Sequence, residues 1–139
     1  MKYLGILIII LALVAGILPQ FTDCQSQGKA LTLNNAKTVP MKCHWTAIAE
    51  IALAVPLGGV GGMLFFGKRK ETRRALSILG AILGAFVVLI PTVLIGVCAS
   101  DMMLCRSIMF PTLVLSGILV VAISLVFFAS SFRMSEPVA

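Results

Sequence analysis

Four long apolar runs leave this chain little choice of architecture: Tyr3–Leu18, Trp45–Phe66, Leu76–Val97 and Ile108–Phe128. Each is 16 to 22 residues, close to the roughly 20 that a helix needs to cross a bilayer. Inside hydrocarbon every backbone N–H and C=O must find its partner within the protein, so such runs become helices. The first run is the shortest, and Pro19, Gln20 and Phe21 carry it to the surface. No stretch remains for a separate soluble domain. Only 12% of the residues are charged, about half the share of a soluble domain. The expected fold is an all-α membrane protein, a single four-helix transmembrane domain over residues 1–139.

The first run resembles a secretory signal in its single early charge, Lys2, and its apolar core. Its exit, "GILPQFTDC", has no small-x-small cleavage pattern, and Asp23 before Cys24 spoils a lipoprotein-type site. It reads as a retained span. Orientation follows from the basic residues. The segment Gly67–Arg74 holds five Lys or Arg in eight residues between the second and third runs, which marks it as cytoplasmic. Both termini are then cytoplasmic, with Lys2 and Arg133 in agreement, and the loops Gln20–His44 and Cys98–Ser107 lie outside a plasma membrane. The net charge of +6 is mostly this topology signal. The basic run is short and has no aromatic interleaving, so nucleic acid is not an expected partner; the lipid bilayer is.

All four cysteines, Cys24, Cys43, Cys98 and Cys105, fall in or beside the outer loops. An even count on the oxidising side favours disulfides over metal. The halves 1–67 and 68–131 repeat one order: helix, Pro, Cys, Met-x-Cys, helix, with "MKCHW" matched by "MLCRS". Duplicated hairpins related by an axis along the membrane normal have this signature. The repeat suggests Cys24–Cys43 and Cys98–Cys105 pairs, closing each hairpin. Cross-hairpin pairing, Cys24–Cys98 or Cys43–Cys105, stays open, because four cysteines allow three connectivities.

Small residues let helices approach in lipid. The second run carries Gly58 and Gly62 four apart, the third Gly80 and Gly84. Both patches lie in the inner half, so the expectation is that these two helices pack there; a face for a partner protein is the alternative. "GGVGG" lacks the Lys-Ser/Thr of a phosphate loop. Pro56 and Pro91 lie inside runs and favour kinks, whereas Pro111 stands near a helix start, where it costs little.

Glu50 is the first chemical candidate. It lies five residues into the second run, where a carboxylate is costly and usually faces protein or water. It is protonated there, or it pairs with Arg106, Lys42 or His44. Helical spacing puts Cys43, Thr46, Ala47 and Glu50 on one face. The plain expectation is a hydrogen bond or ion pair that fixes the bundle; the sharper one is a proton or ligand role. His44, the single histidine, would make a soft copper or zinc site with Met41, Cys43, Met102, Met103 and Met109. Zinc wants four ligands, however, and paired cysteines offer no thiolates, so the leading expectation is no metal and no cofactor, with copper(I) held by the methionines and His44 as the open alternative. His44 and Trp45 then form an interfacial belt. Asp23 and Asp101 are loop acids, and no Ser-His-Asp set is complete. The polar loop Gln25–Pro40 has room for a small hairpin around Asn34 and Asn35.

The motif Met-x-Cys-His-Trp-Thr-Ala…Glu, read at Met41, Cys43, His44, Trp45, Thr46, Ala47 and Glu50, resembles that of an uncharacterised family. Its members are small four-span prokaryotic membrane proteins grouped as a domain of unknown function. The resemblance covers nearly the whole chain. It implies no activity, and weakly implies a companion role beside permeases of the macrolide-exporter ABC type. The architecture is also similar to the periplasmic disulfide-generating quinone reductases, which have four spans and two outer cysteine pairs. Those use Cys-x-x-Cys, whereas these pairs are separated by 18 and 6 residues.

The function expected is therefore non-enzymatic: a small accessory or structural subunit of a membrane complex, with an ABC-type exporter as the candidate complex. Its partner would be a membrane protein or another copy of itself. The alternatives are a membrane thiol–disulfide oxidoreductase using the outer cysteine pairs, or a small transporter or metal handler built on Glu50, His44 and the methionines.

Overall fold

In the computed structural model residues 2–29, 31–67 and 69–133 are described. Among the described residues four helices are long and apolar enough to cross a membrane. The first, α1, is Lys2–Thr22 and runs unbroken through Pro19; the second, α2, is Lys42–Phe66. The third, α3, is Lys70–Leu89 and continues into a π-helical turn, Ile90–Leu94. A second π-helical turn, Cys105–Met109, leads into α4, Phe110–Arg133. Pro91 has no N–H to give the carbonyl one turn back, and α3 meets this with the wider π turn instead of ending. Between α1 and α2 lies a two-stranded hairpin, β1 (Leu31–Thr32) and β2 (Thr38–Val39), with Leu31 opposite Val39. Its turn holds Asn34 and Asn35, as the loop composition suggests, and all four strand residues are exposed.

The closest helix pairs are α1 with α2 and α3 with α4. The Gly-rich patches serve these pairs, which corrects the expected packing of the second run on the third. A Cβ on Gly61 would lie 3.1 Å from the Gly5 carbonyl oxygen of α1, and one on Gly16 would meet the Ala54 Cβ at 2.8 Å. Gly58 has Ala12 of α1 as its neighbour, and a Cβ on Gly62 would meet nothing within 4 Å. In the other hairpin Gly84 faces Val120 and Gly117, and a Cβ on Gly117 would lie 2.9 Å from the Gly84 carbonyl oxygen. Gly80 meets Ser124 of α4 at 2.8 Å and touches Val60 of α2 only at 3.4 Å. The glycine stripes thus close each hairpin. Larger side chains, among them Leu57, Leu64, Val87, Leu113, Val120 and Phe127, fill the core of the bundle.

The two ends of the bundle differ. At the basic end Arg73 Nε donates to the Gly67 carbonyl at 2.9 Å, and Arg74 lies 4.5 Å over the Phe132 ring. Lys68, in the middle of the basic segment, and residues 134–139 lie outside the described residues. The opposite end carries both longer connections, and with them all four cysteines.

Candidate metal centre

Four chain segments converge at the cysteine end. Cys24 stands two residues past α1, Cys43 in the first turn of α2, Cys98 in the connection after α3, and Cys105 at the start of the π turn before α4. The four Sγ atoms all lie within 4.8 Å of one another. Three approaches cross between hairpins: Cys24 to Cys98 at 3.4 Å, Cys98 to Cys43 at 3.4 Å, and Cys24 to Cys105 at 3.6 Å. Each cysteine is a free thiol. Four sulfurs around one metal at a Zn–S distance of about 2.3 Å would stand about 3.8 Å apart at the edges of the tetrahedron. The observed spacing is close to that.

Local structure explains why these thiols meet. The hydroxyl of Thr46, one turn below Cys43, donates to the Gly96 carbonyl at 2.8 Å. Gly96 has φ +80°, a backbone that an L side chain rarely adopts. It turns the chain back over the bundle two residues before Cys98. Beside the cluster, Asp23 Oδ2 and His44 Nδ1 are 3.0 Å apart. Asp23 precedes Cys24 and His44 follows Cys43, so this bond fastens two cysteine-bearing segments to each other. Asp23 also accepts from the Ser26 amide at 2.8 Å. Burial pushes the Asp23 carboxyl up, but the hydrogen bonds from His44 and Ser26 outweigh it and hold it below the ordinary carboxylate value.

The thiols are not equivalent. Cys24, Cys43 and Cys105 are buried, whereas Cys98 is partly exposed. Burial, together with the neighbouring sulfurs, pushes the Cys24 thiol far up. For Cys98 burial also pushes up, but hydrogen bonds from Cys24, Cys43 and Cys105 more than offset it, so its thiol is the more acidic. Two thioethers adjoin the cluster: Met103 Sδ is 3.9 Å from Cys24 Sγ, and Met41 Sδ is 4.0 Å from Cys98 Sγ.

The other expected site residues part company. Cys43, Thr46, Ala47 and Glu50 do share one buried face, each 0% exposed. Glu50 does not pair with Arg106, Lys42 or His44: among the described residues both its carboxylate oxygens lack a hydrogen-bond partner. His44 is taken by Asp23, and Arg106 lies 3.4 Å from Asp101. Of the methionines offered as soft ligands, Met41 and Met103 reach the sulfurs, Met102 is 94% exposed, and Met109 is buried in the core. The Asp23–His44 and Thr46–Gly96 bonds were not foreseen from the residues alone. The signal for the first was present in Asp-Cys and Cys-His, two neighbouring pairs on converging segments.

The structure thus defines a class: a small helical membrane protein with four candidate spans and four thiols gathered at one end. Within that class the chain belongs to the family described as a domain of unknown function (DUF4418), whose model matches residues 3–129. No curated protein and no solved structure shows significant similarity to it.

Proposed function

We propose that this protein is a small, non-catalytic membrane subunit whose extracytoplasmic end carries a tetrathiolate metal centre. The observation that supports the centre is the convergence of Cys24, Cys43, Cys98 and Cys105 to within 4.8 Å. A closed S4 set selects soft or borderline ions, zinc, iron or copper(I), over hard ones. Its ligands come from all four chain segments, so a bound ion would fasten the two hairpins to each other. Thiolate ligation would also protect the cysteines from oxidation on the outer side. The basic segment at the opposite end supports that orientation. The chain has almost no surface outside the bundle, which suits a subunit working beside a larger membrane protein. An ABC-type permease is the partner that the family resemblance implies.

The test is cobalt(II) titration of detergent-purified protein kept reduced, with metal content measured on the protein as isolated. The expected result is one ion per chain with the absorption of tetrahedral thiolate cobalt, lost when all four cysteines are replaced by serine. Protein that takes up no ion, with its cysteines mapped to two fixed disulfides, would overturn it.

A second reading is favoured by one observation. Cys98 is the more exposed and more acidic thiol, with Cys24 and Cys43 each at 3.4 Å. That is the arrangement of an attacking cysteine with resolving neighbours. Cys98 thiolate would attack a partner's disulfide, a buried cysteine would displace the resulting mixed disulfide, and the pair would be oxidised as the partner is reduced. Trapping of a mixed disulfide in cells by Cys24→Ser with Cys43→Ser, and not by Cys98→Ser, would favour this reading over the metal centre.

A further inference from the structure

The four thiols have two neighbours that a zinc site does not need. Met41 and Met103 bring neutral thioether sulfurs to 4.0 and 3.9 Å from Cys98 and Cys24, from opposite sides of the sequence. Met41 caps the start of α2, and Met103 lies in the short connection before Cys105. Both are partly buried and packed on the core rather than spread into solvent. A cleft of ≈ 400 Å³ opens beside them, lined by Met41, Met103, Cys98, Leu31, Lys42 and Val97 among others. Cys98, the one cluster thiol that is not buried, is among its lining residues. An ion coming through this cleft meets two thioethers and one thiol before it reaches the three buried thiols.

The donor chemistry separates the soft ions. Thioethers carry no charge and no proton, and they suit copper(I), while zinc at a structural site is satisfied by thiolate and imidazole. His44, the one imidazole, is turned to Asp23 at 3.0 Å and stands apart from the converging sulfurs. We propose that the six sulfurs form a copper(I) site, with Met41 and Met103 as the first ligands in the access cleft and Cys98 as the thiol that passes the ion inward. The steps are ligand exchanges: copper stays in the +1 state, and each thiol that binds it gives one proton to solvent. The proposal rests on the metal-centre reading above and names the ion and its route.

The experiment uses full-length protein in detergent under anaerobic conditions. Copper(I) is supplied as its complex with the coloured chelator bathocuproine disulfonate, and loss of colour reports transfer. Wild type is compared with Met41→Leu/Met103→Leu, in which similar volume keeps the packing, and with the four-cysteine-to-serine variant. Cobalt(II) titration runs in parallel and reports whether the thiolate set is intact. The expected result is that the double leucine variant binds cobalt as wild type does but loses about tenfold in copper(I) affinity or transfer rate. Equal copper(I) uptake by wild type and the leucine variant overturns the route. Cobalt binding without any copper(I) uptake overturns the copper assignment and leaves the tetrathiolate reading standing. Failure to bind either ion removes both.

Discussion

At the scale of single residues, Glu50 is the least expected outcome. It is fully buried, and among the described residues neither carboxylate oxygen has a hydrogen-bond partner. Burying a polar group without a hydrogen bond is unfavourable. Glu50→Leu should therefore stabilise the bundle by about 1–3 kcal/mol, read as a higher thermal midpoint in detergent. A lower midpoint would mean that the carboxyl has a partner in the folded protein after all. Asp23 makes the opposite case. Its carboxyl sits below the ordinary value of about 3.9 through His44 and Ser26, after burial has pushed it the other way. A depressed carboxylate stabilises the fold above its unfolded pKa and loses that contribution as pH falls through the folded one. The link between Asp23 and His44 should thus hold at neutral pH and weaken on acidification below about pH 4. Asp23→Asn should flatten that acid limb of a melting series while leaving the curve at higher pH lower and parallel. An unchanged acid limb would show that Asp23 does not titrate between the two states.

At the scale of elements, the glycines decide which helices touch. In lipid apolar area alone gives no preference among partners, and close backbone approach does. Gly117 and Gly84 are where α3 and α4 meet most tightly: a Cβ on Gly117 would stand 2.6 Å from Val88 Cγ2 and 2.9 Å from the Gly84 carbonyl oxygen. Backbone cannot give way there, so Gly117→Ala should push the helices apart and cost about 1–3 kcal/mol. Gly59→Ala is the matched control. Nothing lies within 4 Å of its added Cβ, and alanine is the better helix former by about 1 kcal/mol. Thermal midpoints of the two variants should move in opposite directions; a shared direction would refute the packing role. The sequence carried the existence of these stripes but not their partners. Gly58 and Gly80 stand in the inner halves of adjacent runs, which suggests that they meet, yet a helix has several faces and its own hairpin neighbour competes for the same stripe. The spans themselves were legible, because an apolar run of bilayer length has one economical conformation. The π turns were not: Pro91 signals a disturbance, and whether a helix bends, ends or widens depends on what packs around it.

At the scale of the whole molecule, the four cysteines were legible as a group but not as a cluster. Tandem repetition of Cys and Met-x-Cys places two cysteines at the same end of each hairpin, and from there pairing within a hairpin is the shortest step. The structure sets α1 against α4 as well as α2 against α3. Ring closure of the bundle brings the hairpins' ends into a single focus, and sulfur approaches of 3.4–3.6 Å then run between hairpins. Cross-hairpin geometry predicts the product of a mild oxidant on metal-free protein. Peptide mapping should find links between the 24/43 and 98/105 halves, either Cys24–Cys105 with Cys43–Cys98 or Cys24–Cys98 with Cys43–Cys105. Recovery of Cys24–Cys43 with Cys98–Cys105 instead would refute the cross-hairpin prediction, since those sulfurs also lie within 4.8 Å of each other. The convergence of the four segments also bears on how such a chain is made. A chain that has threaded only its first hairpin owns two of the four thiols, Cys24 and Cys43, and Cys105 comes into place only as the last helix enters the bilayer. The centre is complete only when insertion is complete, so a finished cluster is a record that every helix has been delivered.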